Sequence, residues 1–371
     1  MNMEISRKTI DDRLSYLVSQ NLREALFEGD LAVPVAHEDY LALLTDQALS
    51  SSRGGKRLRA LLLCRTCQAL RLPEEDWDAA IDLACAIEIF QTGALVHDDI
   101  IDDSDLRRGA PSAHKAFASH LLKRSSTARQ DGLGLGLMLG DLLATESVDL
   151  IQEASSRLSV PESLKSAIMT AFLTMHRQVE IGQVLDLSME TVDLHDPASI
   201  EGGALATYVW KTASYTTIAP LRIAFLACGL GQETSHEVSQ AVGLPLGVAF
   251  QLKDDLIDVT GLHTGKPVGG DIIGGKRTVL LADALSCANE EEKETLLTLY
   301  SARKRNQSNV RTAVEIFRKT GALERNQKRI DSLYRQARSG LEKALDHMQE
   351  SGLALDEKGK QALLGLLPLF V

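Results

Sequence analysis

The chain has 371 residues, of which 44% are hydrophobic and 25% charged, enough apolar material for a large buried core. Its formal net charge is −11, which argues against nucleic acid as a partner, because that binding rests on Lys and Arg neutralising phosphates. A local cluster of cations or metal ions can still reverse the potential for a small anionic ligand.

The chain opens with MNMEISRKTIDDRL, polar and charged rather than a secretory leader. Five cysteines, an odd number, then point to reduced thiols and a cytoplasmic location. Cys64 and Cys67 form a C-x-x-C within LRALLLCRTCQAL, a run of helical period with no second pair and no βαβ context, so a packing role is expected. We expect no transmembrane segment, since no apolar stretch reaches the ~18 residues of a span. The apolar C-terminus LLGLLPLFV is expected to pack rather than insert.

Taken in chain order, DYLALLTDQAL, DAAIDLACAIEIFQTGALVHDD, ESLKSAIMTAFLTMHRQVEIGQVLDL, SYTTIAPLRIAFLACGL and SQAVGLPLGVAFQLKDDLIDV all carry helical periodicity. Ala and Leu are plentiful, which suits helix packing. No strand run and no tandem repeat is evident. The breaks are SSSRGGKR near residue 50, KRSSTARQDGLG near 125, METVDLHDPASIEGG near 195 and TGLHTGKPVGGDIIGGKRT near 265. They read as loops within one domain spanning residues 1–371. The expected architecture is all-α, a single large bundle of long helices.

Chemistry concentrates at the ends of two of these helices. In ALVHDDIIDDSDLRRGAP, Asp98, Asp99 and Asp102 form DDIID, with Asp98 and Asp102 on one helix face. FQLKDDLID repeats the spacing with Asp254, Asp255 and Asp258. One such cluster alone reads as a solvated helix end; two are hard to ascribe to decoration. Clustered carboxylates repel, and a divalent cation resolves the repulsion. Oxygen-only ligands favour Mg²⁺, which keeps waters and shares its sphere with phosphates. Arg107 and Arg108 follow the first cluster, and Arg grips phosphate with two parallel hydrogen bonds. GGKRLR adds Gly54 and Gly55 with Lys56, Arg57 and Arg59, where bare backbone can approach an anion. Lys211, Lys266 and Lys276 form a further cationic set. Two cation groups and two acidic clusters suggest two diphosphate sites, one bridged by metal and one metal-free. Two look-alikes are set aside. GDIIGGK at 270–276 nearly matches a P-loop, but Arg277 takes the Ser/Thr place and no strand precedes it; Gly132, Gly134 and Gly136 lack a βαβ unit. For His97, beside Asp98, helix packing is expected.

These landmarks resemble the trans-type polyprenyl diphosphate synthases, geranylgeranyl diphosphate synthases in particular. GGKRLR at 54–59, DDIID with RRG at 98–109, GQ at 182–183, KT at 211–212, FQLKDDLID at 250–258 and GKPVGGD…GKRT at 265–278 run in family order over most of the chain. The resemblance implies helices around a deep central cavity, usually as a homodimer. It implies an enzyme joining isopentenyl diphosphate head-to-tail (1′-4) to an allylic diphosphate (dimethylallyl, geranyl or farnesyl) and releasing pyrophosphate. The implied cofactor is Mg²⁺, about three ions, with Mn²⁺ able to substitute. By position, Asp98 and Asp102 would ligate metal with Asp99 supporting, and Asp254 would do so with Asp255 and Asp258 completing its motif. Arg107, Lys211 and Lys266 would hold the allylic diphosphate. Lys56, Arg59 and Arg108, with Gly55 and Gln91, would hold isopentenyl diphosphate. Thr212 and Gln251 would face the reacting region, with Lys276 on the substrate side. Two departures stand out: Ala60 where the family often has Pro, and a C-terminus without a basic tail.

The growing chain is expected to run down the helix bearing Asp98, where eight residues give about 12 Å of depth. Gly93 and Ala94 would leave the upper pocket open and Phe90 would form its floor, giving a C20 product, geranylgeranyl diphosphate. Alternatively Phe90 packs between helices, and the product is farnesyl or longer polyprenyl diphosphate. A terpene cyclase would normally lack the second intact acidic cluster and has no need of GGKRLR. A non-catalytic synthase subunit would tend to lose metal ligands, and a diphosphate hydrolase would need water at the metal rather than a second anion site.

Overall fold

A computed structural model describes residues 5–27, 37–122, 125–261, 268–350 and 357–371. Almost all of them are helical, as the periodicity predicts. The exception is a two-residue hairpin, β1 (Leu106–Arg107) with antiparallel β2 (Ala110–Pro111), just after the first acidic cluster. The chain divides into two compact units, residues 1–172 with 223–230, and residues 173–222 with 231–371.

The first unit is organised by α4 (Trp77–Ile101). Every residue from Ala79 to Phe90 is buried, Asp82 and Glu88 included, so this mainly apolar helix is covered all round and belongs in a core. Its composition does meet the requirement for a membrane span, contrary to the expectation above. Yet 83% of the apolar window is buried within the protein, which makes it a core helix. Around it pack α1 (Arg7–Phe27), α2 (Glu38–Ser52), α3 (Leu58–Ala69) and α6 (Ala128–Ser156), with α5 (Ala113–Leu121) lying on α6. Cys64 and Cys67 are buried on α3, in the packing role expected, and burial pushes the Cys64 thiol up to about 12.

The segment expected as a loop near residue 125 is mostly helix, because α6 starts at Ala128. Its glycines serve close contact. A Cβ on Gly140 would fall 2.2 Å from the His97 ring, and one on Gly132 2.6 Å from the His114 carbonyl of α5. His97 therefore packs on α6, with Nε2 3.2 Å from the Leu137 carbonyl.

In the second unit α10 (Gln232–Thr260) packs against α15 (Ala322–Glu350) and against Tyr208–Ile218, a segment wound as a π-helix after α8 (Pro197–Thr207). Leu252, Leu256, Val279, Leu281, Leu296 and Phe317 fill this core. Helices α13 (Glu290–Ser301) and α14 (Gln307–Lys319) each begin with a reciprocal cap, at Asn289 and Asn306. The Gly-rich stretch near 265 contains the short α11 (Gly270–Gly274). The C-terminal residues do pack: Leu363, Leu367 and Phe370 are buried, and the Phe370 ring meets Phe250 edge-on at 6.0 Å.

Candidate active site

Both acidic clusters lie in or beside the last turns of their helices, α4 and α10, which carry no basic residue there. A helix C-terminus is the negative end of its dipole, so carboxylates at that place are doubly disfavoured without a cation.

In the first unit the cluster is split by the turn of the helix. Asp99 is 2% exposed and accepts from Arg107 Nε at 2.9 Å and from its Nη2 at 2.5 Å. Burial pushes its carboxyl up, and the Arg107 bond opposes that. Asp98 receives a longer contact from Arg107, 3.4 Å. Asp102 is the exposed C-cap of α4. Arg107 is itself held on β1, where its own desolvation is outweighed by Asp99, Asp98 and Asp102, which keep it a cation.

The GGKRLR segment forms a tight turn beside this cluster. Gly54 and Gly55 have φ of 79° and 87°, and the Arg108 guanidinium lies over them, 3.1 Å from where a Gly55 Cβ would be. Only glycine meets both demands. Arg108 donates to the Arg53 carbonyl at 2.7 Å. Its pKa is lowered, first by burial and then by the charges of Arg57, Arg107 and Arg59, with Glu88 opposing. Cations crowded in this way gain from an incoming anion. Lys56 is exposed and Arg59 buried. The turn opens on a cavity of about 300 Å³ whose wall includes Arg53, Gly54, Thr92, Asp99, Arg107 and Arg108.

Gln91 and Ala94 are half-buried on α4. Gly93 does not serve the open pocket expected of it: a Cβ there would lie 2.9 Å from the Gly140 carbonyl, so its size lets α4 and α6 approach. Phe90 is 4% exposed and packs edge-on against Phe172, ring centroids 6.3 Å apart.

In the second unit the three aspartates of DDLID have three environments. Asp254 is exposed. Asp255 is 2% exposed, accepting from the Tyr208 hydroxyl in a short hydrogen bond and from Gln251 Nε2 at 2.9 Å. Burial pushes its carboxyl well up, helped by the Asp271 charge. Asp258 accepts from the backbone N–H of Gly270 at 3.0 Å and of Asp271 at 3.1 Å, capping α11. Gln251 Oε1 accepts from the Thr212 hydroxyl at 2.9 Å, so Thr212, Gln251, Asp255 and Tyr208 form one hydrogen-bonded chain.

Lys211 and Thr212 sit on the π-helical segment. Lys211 pairs at 2.5 Å with Asp186 of α7 (Glu162–Met189). The GQ landmark explains itself here. A Cβ on Gly182 would lie 2.3 Å from the Lys211 nitrogen, so glycine lets α7 pass directly under that backbone. Lys276 is half-buried. Lys266 lies outside the described residues.

Sequence reasoning missed Asp186, Tyr208, Glu88 and Asp271. The Asp271 carboxyl is pushed up to about 7, chiefly by burial, with Lys276 opposing and Asp258, Asp254 and Asp186 reinforcing. Asp186 had a signal, four residues after Gly182 in GQVLD. Among the described residues, no three acidic, imidazole or thiol groups converge into a preformed metal cage. Exposed aspartates on the rim of each cluster suit instead a hard cation that keeps waters and takes ligands from a bound phosphate.

Two aspartate-rich helix ends and a guanidinium-lined turn in an all-α chain define the diphosphate-handling class. The sequence profile of the polyprenyl synthetase family matches residues 42–317, and the chain belongs to that family. It is 31% identical over 274 residues to a short chain isoprenyl diphosphate synthase of Methanothermobacter thermautotrophicus, covering 73% of this chain and 75% of that one. With a geranylgeranyl diphosphate synthase of Saccharolobus solfataricus it shares 30% identity over 273 residues, 72% and 73% of the two chains. Among solved structures, geranylgeranyl pyrophosphate synthase from Corynebacterium glutamicum, complexed with isoprenyl diphosphate and magnesium, aligns with a TM-score of 0.80 at 27% identity over 98% of each chain. The chain is therefore a prenyltransferase of the isoprenyl diphosphate synthase type.

Proposed function

We propose that this enzyme condenses isopentenyl diphosphate with an allylic diphosphate, 1′-4, and that its main product is geranylgeranyl diphosphate. The observation that carries the reading is the Gly54–Gly55 turn, whose crowded guanidinium groups border the cavity that also reaches Asp99 and Arg107. Such a turn suits a diphosphate held by cations alone. The exposed carboxylates of Asp102 and Asp254, with the half-buried Asp98, suit one held through metal.

In this reading Lys56, Arg59 and Arg108, with Gly55 and Gln91, hold isopentenyl diphosphate. Arg107, Lys211, Lys266 and Lys276 serve the allylic diphosphate. Asp98, Asp102 and Asp254 hold about three Mg²⁺ ions, or Mn²⁺ in their place, while Asp99, Asp255 and Asp258 support the ligands. Held by these carboxylates, a divalent metal would supply Lewis-acid neutralisation of the charge on the pyrophosphate leaving group. Arg107 and Lys211 add fixed positive charge to the same group, Lys211 exchanging Asp186 for phosphate. The allylic C–O bond breaks and the isopentenyl double bond attacks the resulting cation. The departing pyrophosphate takes the proton then lost. Thr212 and Gln251, already bonded to each other, serve the reacting region. The isopentenyl diphosphate keeps its own C–O bond because it is not allylic and its ionisation would leave an unstabilised primary cation, which suits a site held by side-chain cations.

We further propose a cytoplasmic homodimer; Leu137 and Met138, exposed at 47% and 52% on α6, offer a second copy an apolar face. Purified enzyme given Mg²⁺, isopentenyl diphosphate and each allylic starter in turn should yield one linear prenyl alcohol after dephosphorylation. EDTA or Asp98→Ala should abolish it, and Phe90→Ala should lengthen it beyond C20. Cyclic hydrocarbons from a single substrate would sink the synthase reading. Unchanged length in Phe90→Ala would confine that ring to its packing against Phe172.

A further inference from the structure

Among the cations in GGKRLR, Arg57 is tied inward by three hydrogen bonds. It is 4% exposed and holds a left-handed backbone, φ 53°, that a residue with a Cβ adopts only when its surroundings insist. Nε donates to Asp11 Oδ1 at 2.7 Å, Nη1 to Glu88 Oε2 at 3.1 Å, and Nη2 to the Ser52 carbonyl at 2.5 Å. The guanidinium thus joins α1, the end of α2 and the middle of α4.

Glu88 completes the arrangement from beneath. It is 2% exposed in the mainly apolar stretch of α4, where a carboxylate needs a full set of partners. Its Oε1 accepts from the Ala60 amide at 3.3 Å, one residue beyond Arg59, while Oε2 takes Arg57. The two oxygens therefore grip the chain on both sides of Leu58 and Arg59. Glu88 is also the acid that favours the charged form of Arg108, against the repulsion of Arg57, Arg107 and Arg59.

We infer that Arg57 and Glu88 are positioning residues, which fix the turn so that Lys56, Arg59 and Arg108 converge on the isopentenyl diphosphate. This rests on the assignment of that turn to isopentenyl diphosphate. The Arg57 guanidinium is taken up by Asp11, Glu88 and the Ser52 carbonyl, and these three bonds determine where its neighbours point. Lysine keeps the charge but cannot donate in three fixed directions, and asparagine tolerates the left-handed backbone without reaching Glu88.

The test compares Arg57→Lys, Arg57→Asn, Glu88→Gln and Lys56→Ala in steady-state kinetics, with pyrophosphate titrated calorimetrically into EDTA-treated enzyme. The KM for isopentenyl diphosphate should rise about tenfold or more in Arg57→Asn and Glu88→Gln and less in Arg57→Lys. The KM for the allylic substrate should stay within about twofold, and pyrophosphate affinity without metal should fall in parallel. A purely structural role would lower melting temperature and active fraction with both KM values unchanged, and that result overturns the inference. If Lys56→Ala raises the isopentenyl KM and the Arg57 variants do not, the positioning role fails and the site assignment stands. If Lys56→Ala leaves it unchanged as well, the assignment of the turn itself fails. Should Glu88→Gln not fold, Arg57→Lys against Arg57→Asn decides the matter.

Discussion

Between Asp98 and Asp99 the helix turns by about 100°, which is enough to leave one carboxylate half-buried at 3.4 Å from Arg107 and to bury the other against its Nε and Nη2. The D-D-x-x-D spacing shows which carboxylates share a face. It leaves open how the helix is rotated, because that is decided by partners distant in sequence: Arg107 for Asp99, Tyr208 for Asp255, the α11 amides for Asp258. The acidic motifs were therefore legible and their division of labour was not. A titratable group away from both clusters is equally silent in the sequence. His176 on α7 is 8% exposed, and burial holds its pKa down to about 4 from an ordinary 6.5. A base depressed in this way is neutral in the folded state while the unfolded chain takes up a proton. Its contribution is fully present above 6.5, is lost as pH falls through that value, and is gone at about 4. The whole window is worth on the order of 3 kcal/mol. His176→Gln, uncharged throughout, should show a smaller drop in melting temperature than the natural protein between neutral pH and about pH 5. Parallel curves for the two proteins would remove His176 from the acid sensitivity.

At the scale of elements, the helical reading holds wherever an apolar stripe of period 3.6 runs long, and it fails where glycine is used for contact. Gly132 and Gly134 lower intrinsic helix propensity, so the stretch near 125 reads as a loop, and Gly136 and Gly140 follow on the same helix. In the folded protein the close approach of His97, His114 and Ile100 makes up for what propensity lacks. The winding of Tyr208–Ile218 as a π-helix had no signal, since a wider turn leaves the apolar pattern nearly intact. That winding and Gly182 together set the position of Lys211. A methyl at Gly182 would overlap the nitrogen and Cα of Lys211, at 2.3 and 2.5 Å, and backbone cannot swing aside as a side chain would. Gly182→Ala should therefore displace Lys211 and lower kcat/KM for the allylic substrate on the order of a hundredfold. The KM for isopentenyl diphosphate should change little. Gly202→Ala, with open space around it on α8, is the matched control and should leave activity unchanged. Equal activity in the two variants would separate Lys211 from catalysis.

For the molecule as a whole, the order of the chain matters more than its composition. No linker marks the boundary between the two compact units, because the chain crosses it within α7 at 172/173 and again at 222/223 and 230/231. A boundary interrupted in this way leaves no Gly- or Pro-rich stretch to read, which is why the sequence suggests one domain. We propose that the chain unfolds as one. The argument rests on the returning segment Ile223–Leu230. Ile223, Ala224, Phe225 and Leu226 are each 0% exposed, and the Ala224 carbonyl receives the Cys67 thiol at 4.0 Å. A fragment ending at Phe172 would lack these side chains and expose the apolar surface they cover, at roughly 2 kcal/mol for each large residue left without its partners. Expressed alone, residues 1–172 should aggregate or melt without a cooperative transition. The full chain should show a single calorimetric transition whose van't Hoff and calorimetric enthalpies agree. A monomeric 1–172 fragment with a sharp melt of its own would show that the returning segment is dispensable and that the first unit is an independent domain.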